Sequence, residues 1–495
     1  MTDGMTPESL GAKLEFVPGE HERLHRGVLG LVDIAAATMA NIAPAMSFYF
    51  GFGFLALMTG VAAPLTIVVA AVAIFLLGNT LSEFTKVIPS TGGFITFVGK
   101  TFGAQTGVTT ALLTGAGYIA AMASVIAIVG GFFQYFFQTY NVSGFQSVPW
   151  IVWTLLFLAF AAYMMVRGVK VSTKLAGAFF VFELTVLLVV SIASLIKFHG
   201  NLSWQPFNPA KITNGFSGLG VGFPLAVYLF IGWENSAALA EETEDPRTKV
   251  PKAVFTSIGL MAVSYVLFAY STVIGYKGDV KTLSVATVPF LTVAHAVLPF
   301  LAFMGFLAGM TSTVGSMIAG TNSQARLIFN AGREGLLPKF IGKVHSSRRT
   351  PVNALLTFLA SSTGIILVWG LLHIIGGSKY SGSMSAFNFF FESSTFGTIL
   401  VLVVYALTNL ALPFYIKRNH PEIFNGLRHA VLPIIGLAWI GVPLYYLAKP
   451  GQSTPYDWFP WAALVFIVVS VIYAVALVSR DPGLGDRVGS IVADQ

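Results

Sequence analysis

The chain of 495 residues is 55% hydrophobic and only 10% charged, with a mean hydropathy of +0.77. This composition excludes an ordinary soluble protein and predicts an all-α membrane protein that crosses the bilayer many times. Cysteine is absent, so disulfides, thiolate nucleophiles and cysteine-based metal sites are excluded. The net charge of +7 is explained by basic loops beside anionic lipid headgroups, and nucleic-acid binding is not expected.

A membrane-spanning helix needs about 20 apolar residues to cross about 30 Å of hydrocarbon. About twelve runs meet this criterion, and we number these predicted spans in chain order. They lie near residues 29–56, 62–82, 104–133, 148–166, 175–197, 217–240, 253–275, 291–320, 351–374, 385–410, 429–448 and 458–478. The first 26 residues are polar and carry no signal-peptide pattern, so span 1 itself is expected to direct insertion.

The distribution of basic residues gives the orientation. With the N-terminus inside, 22 of the 28 Lys and Arg residues fall in inside loops and tails, and six fall outside. Positive residues are retained on the cytoplasmic side of a membrane. The bias therefore predicts a multi-pass protein of the inner or plasma membrane, in contact with its lipid and with both termini cytoplasmic.

Spans 1 and 6 are both interrupted near their middle. The first interruption reads Thr-Met-Ala-Asn-Ile-Ala-Pro at 38–44, and the second runs from Pro224 to Glu234 through Phe-Ile-Gly-Trp. A helix that unwinds in hydrocarbon exposes backbone N–H and C=O groups, which are tolerated only where protein, solute or ions satisfy them. Corresponding breaks in two halves of a chain mark a transport site, so solute translocation is the function that the pattern favours.

Three cytoplasmic motifs carry a family resemblance. They read PSTGGFITFVGKTFG at 89–103, EETEDPRTKVPKAV at 241–254 and SQARLIFNAGREGLLPKFIGKVHSSRRTPVNALL at 323–356. Their order over residues 30–360 resembles the amino acid–polyamine–organocation (APC) superfamily of permeases, of the bacterial amino acid permease type. The sequence contains no phosphate-binding Walker loop, so transport is expected to be secondary rather than driven by ATP.

The resemblance implies a LeuT-like fold, in which spans 1–5 and 6–10 form a 5+5 inverted repeat with broken helices 1 and 6. The expected units are a cytoplasmic tail at 1–26 and a transport core at 27–410. Within the core, the first repeat covers about 27–200 and the second about 215–410. Two peripheral helices at 411–480 and a cytoplasmic tail at 481–495 complete the chain.

The first break is a candidate site for a substrate carboxylate, because the N-terminal end of a half-helix presents N–H groups and a partial positive charge. The candidate residues are Thr38, Met39, Ala40, Asn41, Ile42 and Ala43. In many members of the resembled family this segment reads Gly-x-Gly-Ile followed by Pro. Here the proline is kept and the glycines are lost, so Asn41 would supply a side-chain amide instead. The alternative is that Pro44 only kinks a packed helix.

The second break is a candidate site for a substrate ammonium group, which would face carbonyls freed around Phe230, Ile231 and Gly232. Trp233 resembles the aromatic position that closes over substrate in the family, and a cation–π contact would suit an amine. The alternative is a tryptophan that only packs or faces lipid. Glu234 either caps the break or lines the pathway.

Glu183 lies in the middle of span 5, where a charged group costs about 2.5–3.5 kcal/mol on the mildest scales. In the resembled family, several proton-coupled members look as if they place a Lys at this position, in a register counted from Lys174, whereas this chain has a Glu. Burial disfavours the anion of a carboxyl, so Glu183 is expected to exchange a proton and to couple it to transport. The alternative is a permanently protonated Glu183 bonded to a carbonyl.

Three further residues are candidates for the transport pathway. Glu392 in span 10 could line the pathway or select a cationic substrate. Ser312 and Ser316 in span 8 lie at the depth where sodium-coupled members of the wider fold use hydroxyls together with carbonyls of span 1. Because such hydroxyls more commonly bond to carbonyls of their own helix, a proton is preferred to sodium as the coupling ion.

The cytoplasmic motifs also contain a candidate gate. Arg247 and Lys249 are expected to form ion pairs with Glu241 and Glu242 that hold one state closed. Exposed pairs of this kind contribute about 0–1 kcal/mol each. A few of them suffice to bias an equilibrium between inward-open and outward-open states.

The sequence thus predicts a secondary active transporter that imports an amino acid by alternating access, together with a proton. A polyamine or other amine permease and an amino-acid exchanger are alternatives within transport. A receptor or scaffold that keeps the fold and moves no solute is the alternative from another class. An enzyme is not expected, because no nucleophile–base or metal constellation is present, and neither a cofactor nor a metal ion is expected.

Overall fold

The structure, a computed structural model, describes residue 24 and residues 26–345, 349–376 and 385–491. Helices in the first half are α1 (Leu31–Ile42), α2 (Pro44–Thr59), α3 (Ala63–Val87), α4 (Phe94–Phe102), α5 (Ala104–Thr139), α6 (Trp150–Val166), α7 (Val169–Lys197), α8 (Gly215–Tyr228) and α9 (Asn235–Ala238). Those of the second half are α10 (Pro246–Gly275), α11 (Val280–Val285), α12 (Pro289–Val297), α13 (Pro299–Arg333), α14 (Val352–Gly376), α15 (Ala386–Asn419), α16 (Leu432–Ala448), α17 (Phe459–Arg480) and α18 (Leu484–Arg487).

The described residues form an all-helical bundle without a β-strand. Nine of its helical stretches are long and apolar enough to cross a membrane, and the first runs from Leu31 to Val87 through α1, α2 and α3. The apolar helices α6 and α8 are shorter, at 17 and 14 residues. The predicted apolar runs all fall on helices, but span 8 differs in detail. Its run begins on α12, which ends at Val297, and α13 then continues to Arg333.

The first break separates α1 from α2 at a single residue. Ala43 adopts the left-handed conformation with φ of 54°, and Pro44 begins the first turn of α2. Proline lacks a backbone N–H and its ring clashes with the preceding turn, so it is tolerated at the first turn of a helix and disfavoured inside one. Pro44 therefore ends α1 and begins a second helix.

The second break comprises residues 229–234, between α8 and α9, where the chain forms consecutive turns. Gly232 has φ of 105° there, a conformation that glycine adopts without steric cost. Pro224, at which the sequence analysis began this interruption, remains inside α8. The unwound segment is thus shorter than the sequence predicted and begins after Tyr228.

Long helices enclose the two breaks. α1 packs against α7, α10 and α13, while α5 packs against α13 and along α15. The backbones of α5 and α15 meet at two glycines, because a Cβ added to Gly397 would lie 2.6 Å from the carbonyl oxygen of Gly117. Small residues allow such close approach between apolar helices. Both breaks therefore lie inside the bundle.

The C-terminal segment packs onto the end of the bundle where α4 lies. Val488 is buried against two glycines, since a Cβ on Gly99 would lie 2.3 Å from its Cγ1 and a Cβ on Gly107 3.2 Å from the same atom. Ser90 donates its hydroxyl to the Ile491 carbonyl at 3.0 Å. The predicted tail from 481 is thus packed against the bundle up to Ile491, the last described residue.

Candidate functional site

The C-terminal end of α1 presents carbonyl groups at the first break. Ser316 of α13 donates its hydroxyl to the Asn41 carbonyl at 3.1 Å, and Ser47 of α2 donates to the Ile42 carbonyl at 2.7 Å. The Ala43 N–H is bonded to the Met39 carbonyl at 3.0 Å. Residues 38–43 therefore contribute carbonyl oxygens at this end rather than the N–H groups that the sequence analysis expected.

The N-terminal end of α2 presents the N–H groups of Ala45 and Met46, and each of them is already hydrogen-bonded within the protein. Ala45 donates its N–H to Oε2 of Glu183 on α7 at 3.2 Å, and Met46 donates its N–H to the Ser312 hydroxyl of α13 at 3.0 Å. This end of a helix carries a partial positive charge that stabilises an anion. A carboxyl of the protein thus occupies the position that the sequence analysis gave to a substrate carboxylate.

Glu183 is enclosed within the bundle. Its side chain is 1% exposed, and the Ser312 hydroxyl is within hydrogen-bonding reach of the carboxyl. Tyr49 of α2 and Tyr265 of α10 are its nearby aromatic neighbours. The Tyr49 hydroxyl donates to the Gly305 carbonyl at 2.9 Å. Glu183 thereby connects α7 to the half-helix α2 inside the bundle.

In the second break, the carboxyl of Glu234 accepts hydrogen bonds from the segment itself and from α5. Glu234 accepts the Gly232 N–H on Oε2 at 3.2 Å and a short hydrogen bond from the Tyr118 hydroxyl of α5 on Oε1. The two aromatic residues of the break pack into the bundle. Phe230 lies edge-to-face on Tyr265 at 5.4 Å between ring centroids, and Trp233 lies edge-to-face on Tyr405 at 5.7 Å.

A small cavity lies between the two breaks, and we name it the central cavity. It has a volume of about 40 Å³. Its lining residues come from both breaks, α5 and α13, and are Asn41, Ile42, Met46, Ser47, Ala121, Met122, Val125, Tyr228, Ile231, Ser316 and Gln324. Ligand sites of proteins commonly measure about 300–1,000 Å³, so the central cavity is much smaller than such a site. A solute that needs a site of that size fits only after the surrounding helices separate.

Asn41 joins the two breaks at this cavity. A Cβ on Gly232 would lie 2.7 Å from Asn41 Nδ2, and a Cβ on Gly320 would lie 2.5 Å from Asn41 Oδ1. The amide is therefore held between the second break and α13. Of the other candidates of the first break, Ile42 also lines the central cavity. Thr38, Met39 and Ala40 are buried in the body of the bundle, where the Thr38 hydroxyl donates to the Ile34 carbonyl.

Three polar residues at the central cavity were missed by the sequence analysis. Ser47 lies in the first turn of α2, and Tyr228 is the last residue of α8. Extending the first predicted interruption by one helical turn would have included Ser47, whereas Tyr228 lay inside the second predicted interruption and was not named as a candidate. Gln324 belongs to the Ser-Gln-Ala-Arg motif of α13, which the sequence analysis used only to recognise a family. No cluster of three or more His, Asp or Glu arranged to hold a metal ion occurs within the described ranges.

Glu392 does not line the central cavity. It projects from α15 into a separate cavity beside α14, where Trp369 donates its indole N–H to Glu392 Oε2 at 2.6 Å. The neighbouring Ser393 donates its hydroxyl to the Ala120 carbonyl of α5 at 2.7 Å. The structure therefore separates Glu392 from the residues of the two breaks.

The candidate gate pairs are buried and involve partners other than those expected. Glu242 binds Arg326 of α13, with side-chain exposures of 1% and 0%, and Glu241 Oε2 lies 2.7 Å from a guanidinium nitrogen of Arg333. The expected partners lie elsewhere: Arg247 donates to the Lys86 carbonyl at 2.6 Å, and Lys249 pairs with Glu244. The turn at 240–242 directly follows α9, which packs against α13, and this packing gives both carboxylates their arginine partners.

The network around Arg333 extends to the end of α13. Arg333 donates to Asn330 Oδ1 at 2.7 Å, and Asn330 donates to Glu334 Oε1 at 3.0 Å. Burial raises the pKa of the Glu334 carboxyl to about 7. This carboxyl therefore becomes charged as the pH rises through neutrality, beside the pair formed by Glu241 and Arg333.

An apolar helical bundle in which two discontinuous helices enclose a small polar cavity is an architecture of solute transporters. The model of the amino acid permease family matches residues 29–472. The chain therefore belongs to the amino acid permease family and is a multi-pass membrane protein.

Several relatives are similar to this chain over most of its length. The branched-chain amino acid permease BcaP of Bacillus subtilis is 24% identical, over 85% of this chain and 87% of BcaP. The Asc-type amino acid transporter 1 of Mus musculus is 26% identical, over 86% of this chain and 82% of that protein. The methylthioribose transporter of Bacillus subtilis is 23% identical, over 83% and 85%.

Among solved structures, the chain is similar in fold to the manganese transporter of Eremococcus coleocola. The TM-score is 0.56 at 13% identity, and the match covers 91% of this chain and 95% of that protein. The likeness concerns the fold alone.

The burial of the pair formed by Glu242 and Arg326 predicts a large effect on stability. Glu242→Gln leaves the guanidinium without its carboxylate, and breaking a buried pair costs about 3–5 kcal/mol. The control is Glu244→Gln, which removes the ion pair between Glu244 and Lys249. The Glu244 side chain is 67% exposed, and exposed ion pairs contribute only about 0–1 kcal/mol. Denaturation of purified protein followed by tryptophan fluorescence should separate the two variants. Equal losses of stability would contradict the burial.

The contact between Gly232 and Asn41 predicts that Gly232→Ala destabilises the protein more than backbone strain alone would. A side chain in an unfavourable backbone conformation costs about 1–3 kcal/mol. Gly144→Ala is the matched control, because Gly144 also has positive φ, +82°, but no atom lies within 4 Å of its added Cβ. The unfolding midpoint should fall further for Gly232→Ala. If both variants unfold at the same midpoint, the Asn41 contact is unimportant.

Proposed function

We propose that the protein is a secondary transporter that imports an amino acid across the cell membrane by alternating access, together with a proton. The observation that carries the proposal is the carboxyl of Glu183 on the open end of the half-helix α2. Relatives named as amino acid permeases and transporters support the substrate class. The proposal retains both termini in the cytoplasm, twelve spans and the inverted repeat within 27–410. The spans within 411–480 remain peripheral.

The substrate carboxylate is received at the first break. In the closed bundle the N–H groups of Ala45 and Met46 are bonded to Glu183 and Ser312, and the Asn41 amide lies at the same cavity. These groups suit an anion, because they combine N–H donors with the positive end of a helix. A substrate carboxylate takes over the N–H of Ala45 when Glu183 leaves it.

Protonation of Glu183 makes that exchange favourable. As an anion, the carboxyl is attracted to the end of α2 and also accepts the Ala45 N–H. A proton neutralises Glu183 and weakens its attraction to the end of α2. The substrate carboxylate then supplies the negative charge at this helix end in place of the Glu183 carboxylate. The proton and the substrate are thereby bound together, which is the requirement for their coupled import.

The second break receives the ammonium group. Tyr228 and Ile231 line the central cavity. The carbonyls of Phe230 and Gly232 are not left free as the sequence analysis expected, because they accept the N–H groups of Trp233 and Asn235 at 3.1 Å each. A carbonyl oxygen has a second acceptor position, and this position would face the ammonium group. Trp233 packs on Tyr405 in the closed bundle and would reach substrate only if the break moves. Glu234 holds the segment through the Gly232 N–H and stays a capping group.

Alternating access requires the closed bundle to open on one side of the membrane at a time. The central cavity, at about 40 Å³, is too small for an amino acid, so binding requires movement of the broken helices. Glu241 and Glu242 bind α13 directly after α9, and opening on their side requires these pairs to separate. They therefore form a gate in which Arg326 and Arg333 replace the partners first expected, and Arg247 braces the end of α3 through the Lys86 carbonyl.

The alternative functions would use the same residues differently. Sodium coupling would use the hydroxyls of Ser312 and Ser316, which bond to the backbone of Met46 and Asn41 in the closed bundle. An amine permease or an exchanger would need no proton at Glu183, and a receptor or scaffold would show no uptake at all. A permease family is not a class of enzymes, and no cofactor enters the proposal.

Uptake measurements in proteoliposomes test the proposal. A panel of labelled amino acids and amines is offered with and without an inward proton gradient, and with sodium as a separate arm. We expect wild-type protein to accumulate an amino acid with the proton gradient. Glu183→Gln should lose accumulation and keep exchange, because a neutral amide at the helix end carries no proton.

The control variant is Glu422→Gln, which removes a carboxyl that is 66% exposed at the surface. It should accumulate substrate like the wild type. Gradient-independent exchange in all three proteins would make the transporter an exchanger and leave Glu183 with a structural role. Sodium-driven uptake, or uptake of amines alone, would reject the proposed coupling ion or substrate.

A further inference from the structure

A hollow lies on the surface of the bundle where α4 and α15 end, and we name it the headgroup site. Helix α4 packs along α15, and the hollow between their last turns has a volume of about 320 Å³. It is lined by Thr101, Phe102, Phe414, Tyr415, Lys417, Arg418 and Asn419. Ligand sites of proteins commonly measure about 300–1,000 Å³, so the headgroup site has room for a small polar group.

The lining of the headgroup site has an apolar part and a basic part. Phe102 and Phe414 lie edge-to-face at 6.0 Å between ring centroids, and they are 39% and 58% exposed on the outside of the bundle. Lys417 and Arg418 follow Phe414 by three and four residues, so helix geometry places all three on one face of α15. This face therefore presents an exposed aromatic ring and, one turn nearer the end of the helix, two cations.

Both cations are available to a ligand. Lys417 and Arg418 are exposed, and no carboxylate within the described ranges pairs with either of them. The acidic residue nearest to them in sequence, Glu422, lies 3.4 Å from His420. Basic residues in a last turn also stabilise the negative end of their own helix. That stabilisation needs neither exposed rings nor a hollow beside them, so the combination indicates a ligand with an anionic part and an apolar part.

We propose that the headgroup site binds one anionic phospholipid of the surrounding membrane, with its phosphate on Lys417 and Arg418 and its acyl chains along Phe102 and Phe414. Helix α15 is long and apolar enough to cross a membrane, and its basic last turn lies where such a helix leaves the hydrocarbon. Guanidinium and ammonium groups form charge-assisted hydrogen bonds with phosphate, and a guanidinium can use two donors at once.

The same residues select the kind of ligand. A free phosphate ion would occupy the two cations and leave the exposed rings of Phe102 and Phe414 without a partner. A zwitterionic lipid carries its own cation beside the phosphate, and this group would meet Lys417 and Arg418 with a like charge. An anionic phospholipid matches both parts of the lining, because it joins a net negative headgroup to apolar chains.

Helix α4 connects the headgroup site to the gate. The loop before α4 contains Thr91, whose hydroxyl accepts the Glu241 N–H at 3.2 Å. α4 begins at Phe94 and ends at Phe102, so it joins this loop directly to the headgroup site. A lipid that bridges α4 and α15 restrains both helices at this end. It therefore stabilises the closed arrangement of the gate, a consequence that rests on the proposed function, whereas the binding itself does not.

Native mass spectrometry tests the binding independently of the proposed function. Purified protein is released from detergent micelles that contain phosphatidylglycerol or phosphatidylcholine, and bound lipids are counted over a lipid titration. We expect one phosphatidylglycerol to bind more tightly than all others, and no phosphatidylcholine to do so. The double variant Lys417→Gln with Arg418→Gln should weaken this first binding step by about tenfold or more, because it removes both charges that face the phosphate.

The matched control is Lys170→Gln with Lys174→Gln, which removes two exposed cations near the start of α7. It should keep the tightly bound phosphatidylglycerol, and both double variants should unfold like the wild type. Equal weakening in the two double variants, or weakening in neither, would overturn the proposal. Displacement of phosphatidylglycerol by an equal concentration of glycerol 3-phosphate would also overturn it, because the ligand would then be a soluble phosphate.

A further variant leaves both cations intact. Thr101 lines the headgroup site from α4, and Thr101→Trp fills part of its volume. This variant should also weaken the first phosphatidylglycerol by about tenfold or more, because the headgroup no longer fits between the two helices. If the lipid binds this variant as tightly as the wild type, attraction to two surface cations explains the binding, and the proposed site is wrong.

Uptake in proteoliposomes measures the consequence for transport. The rate of the double variant Lys417→Gln with Arg418→Gln, divided by the wild-type rate, should exceed one in vesicles that contain phosphatidylglycerol. The ratio should equal one in phosphatidylcholine alone. An equal ratio in both lipids would contradict the connection to the gate. If no substrate is taken up in either lipid, the proposed function fails, while the binding experiment still decides the headgroup site.

Discussion

Backbone groups left open inside an apolar bundle are the constraint on which the rest of the structure depends. α1 and α8 both stop within the bundle, and unsatisfied backbone groups at that depth are costly because no bulk water reaches them. Glu183 accepts the N–H of Ala45 after the first break, and Glu234 accepts that of Gly232 in the second. Two buried carboxyls thus make two interrupted helices tolerable.

The two carboxyls differ in what they hold together. Glu234 lies two residues from the N–H that it accepts, so it moves with its own segment. Glu183 reaches from α7 to α2 across 138 residues of sequence, and its bond is lost when these helices separate. A change of charge on Glu183 therefore alters the attraction between two helices, whereas Glu234 stabilises a local turn. This difference is why we assign the coupling of proton and substrate to Glu183.

The sequence predicted local features well, because their physical causes are local. Pro44 cannot continue a helix and Gly232 tolerates a positive φ, so the two interruptions follow from residue chemistry. The partners of the buried charges could not be predicted in this way. Glu242 and Arg326 are 84 residues apart in sequence, and Glu392 lies in a separate cavity only because α15 packs with that face toward α14. Such contacts depend on helix packing, which composition and spacing leave open.

The central claim is that substrate binding and protonation of Glu183 are linked, and proton uptake during binding tests it most directly. Purified protein in weakly buffered solution is titrated with its substrate while a pH indicator records protons taken up. We expect wild-type protein to take up protons in parallel with substrate saturation, because linkage is reciprocal. Glu183→Gln should bind substrate without proton uptake. Equal affinity and no proton uptake in both proteins, across the pH range of transport, would contradict the account.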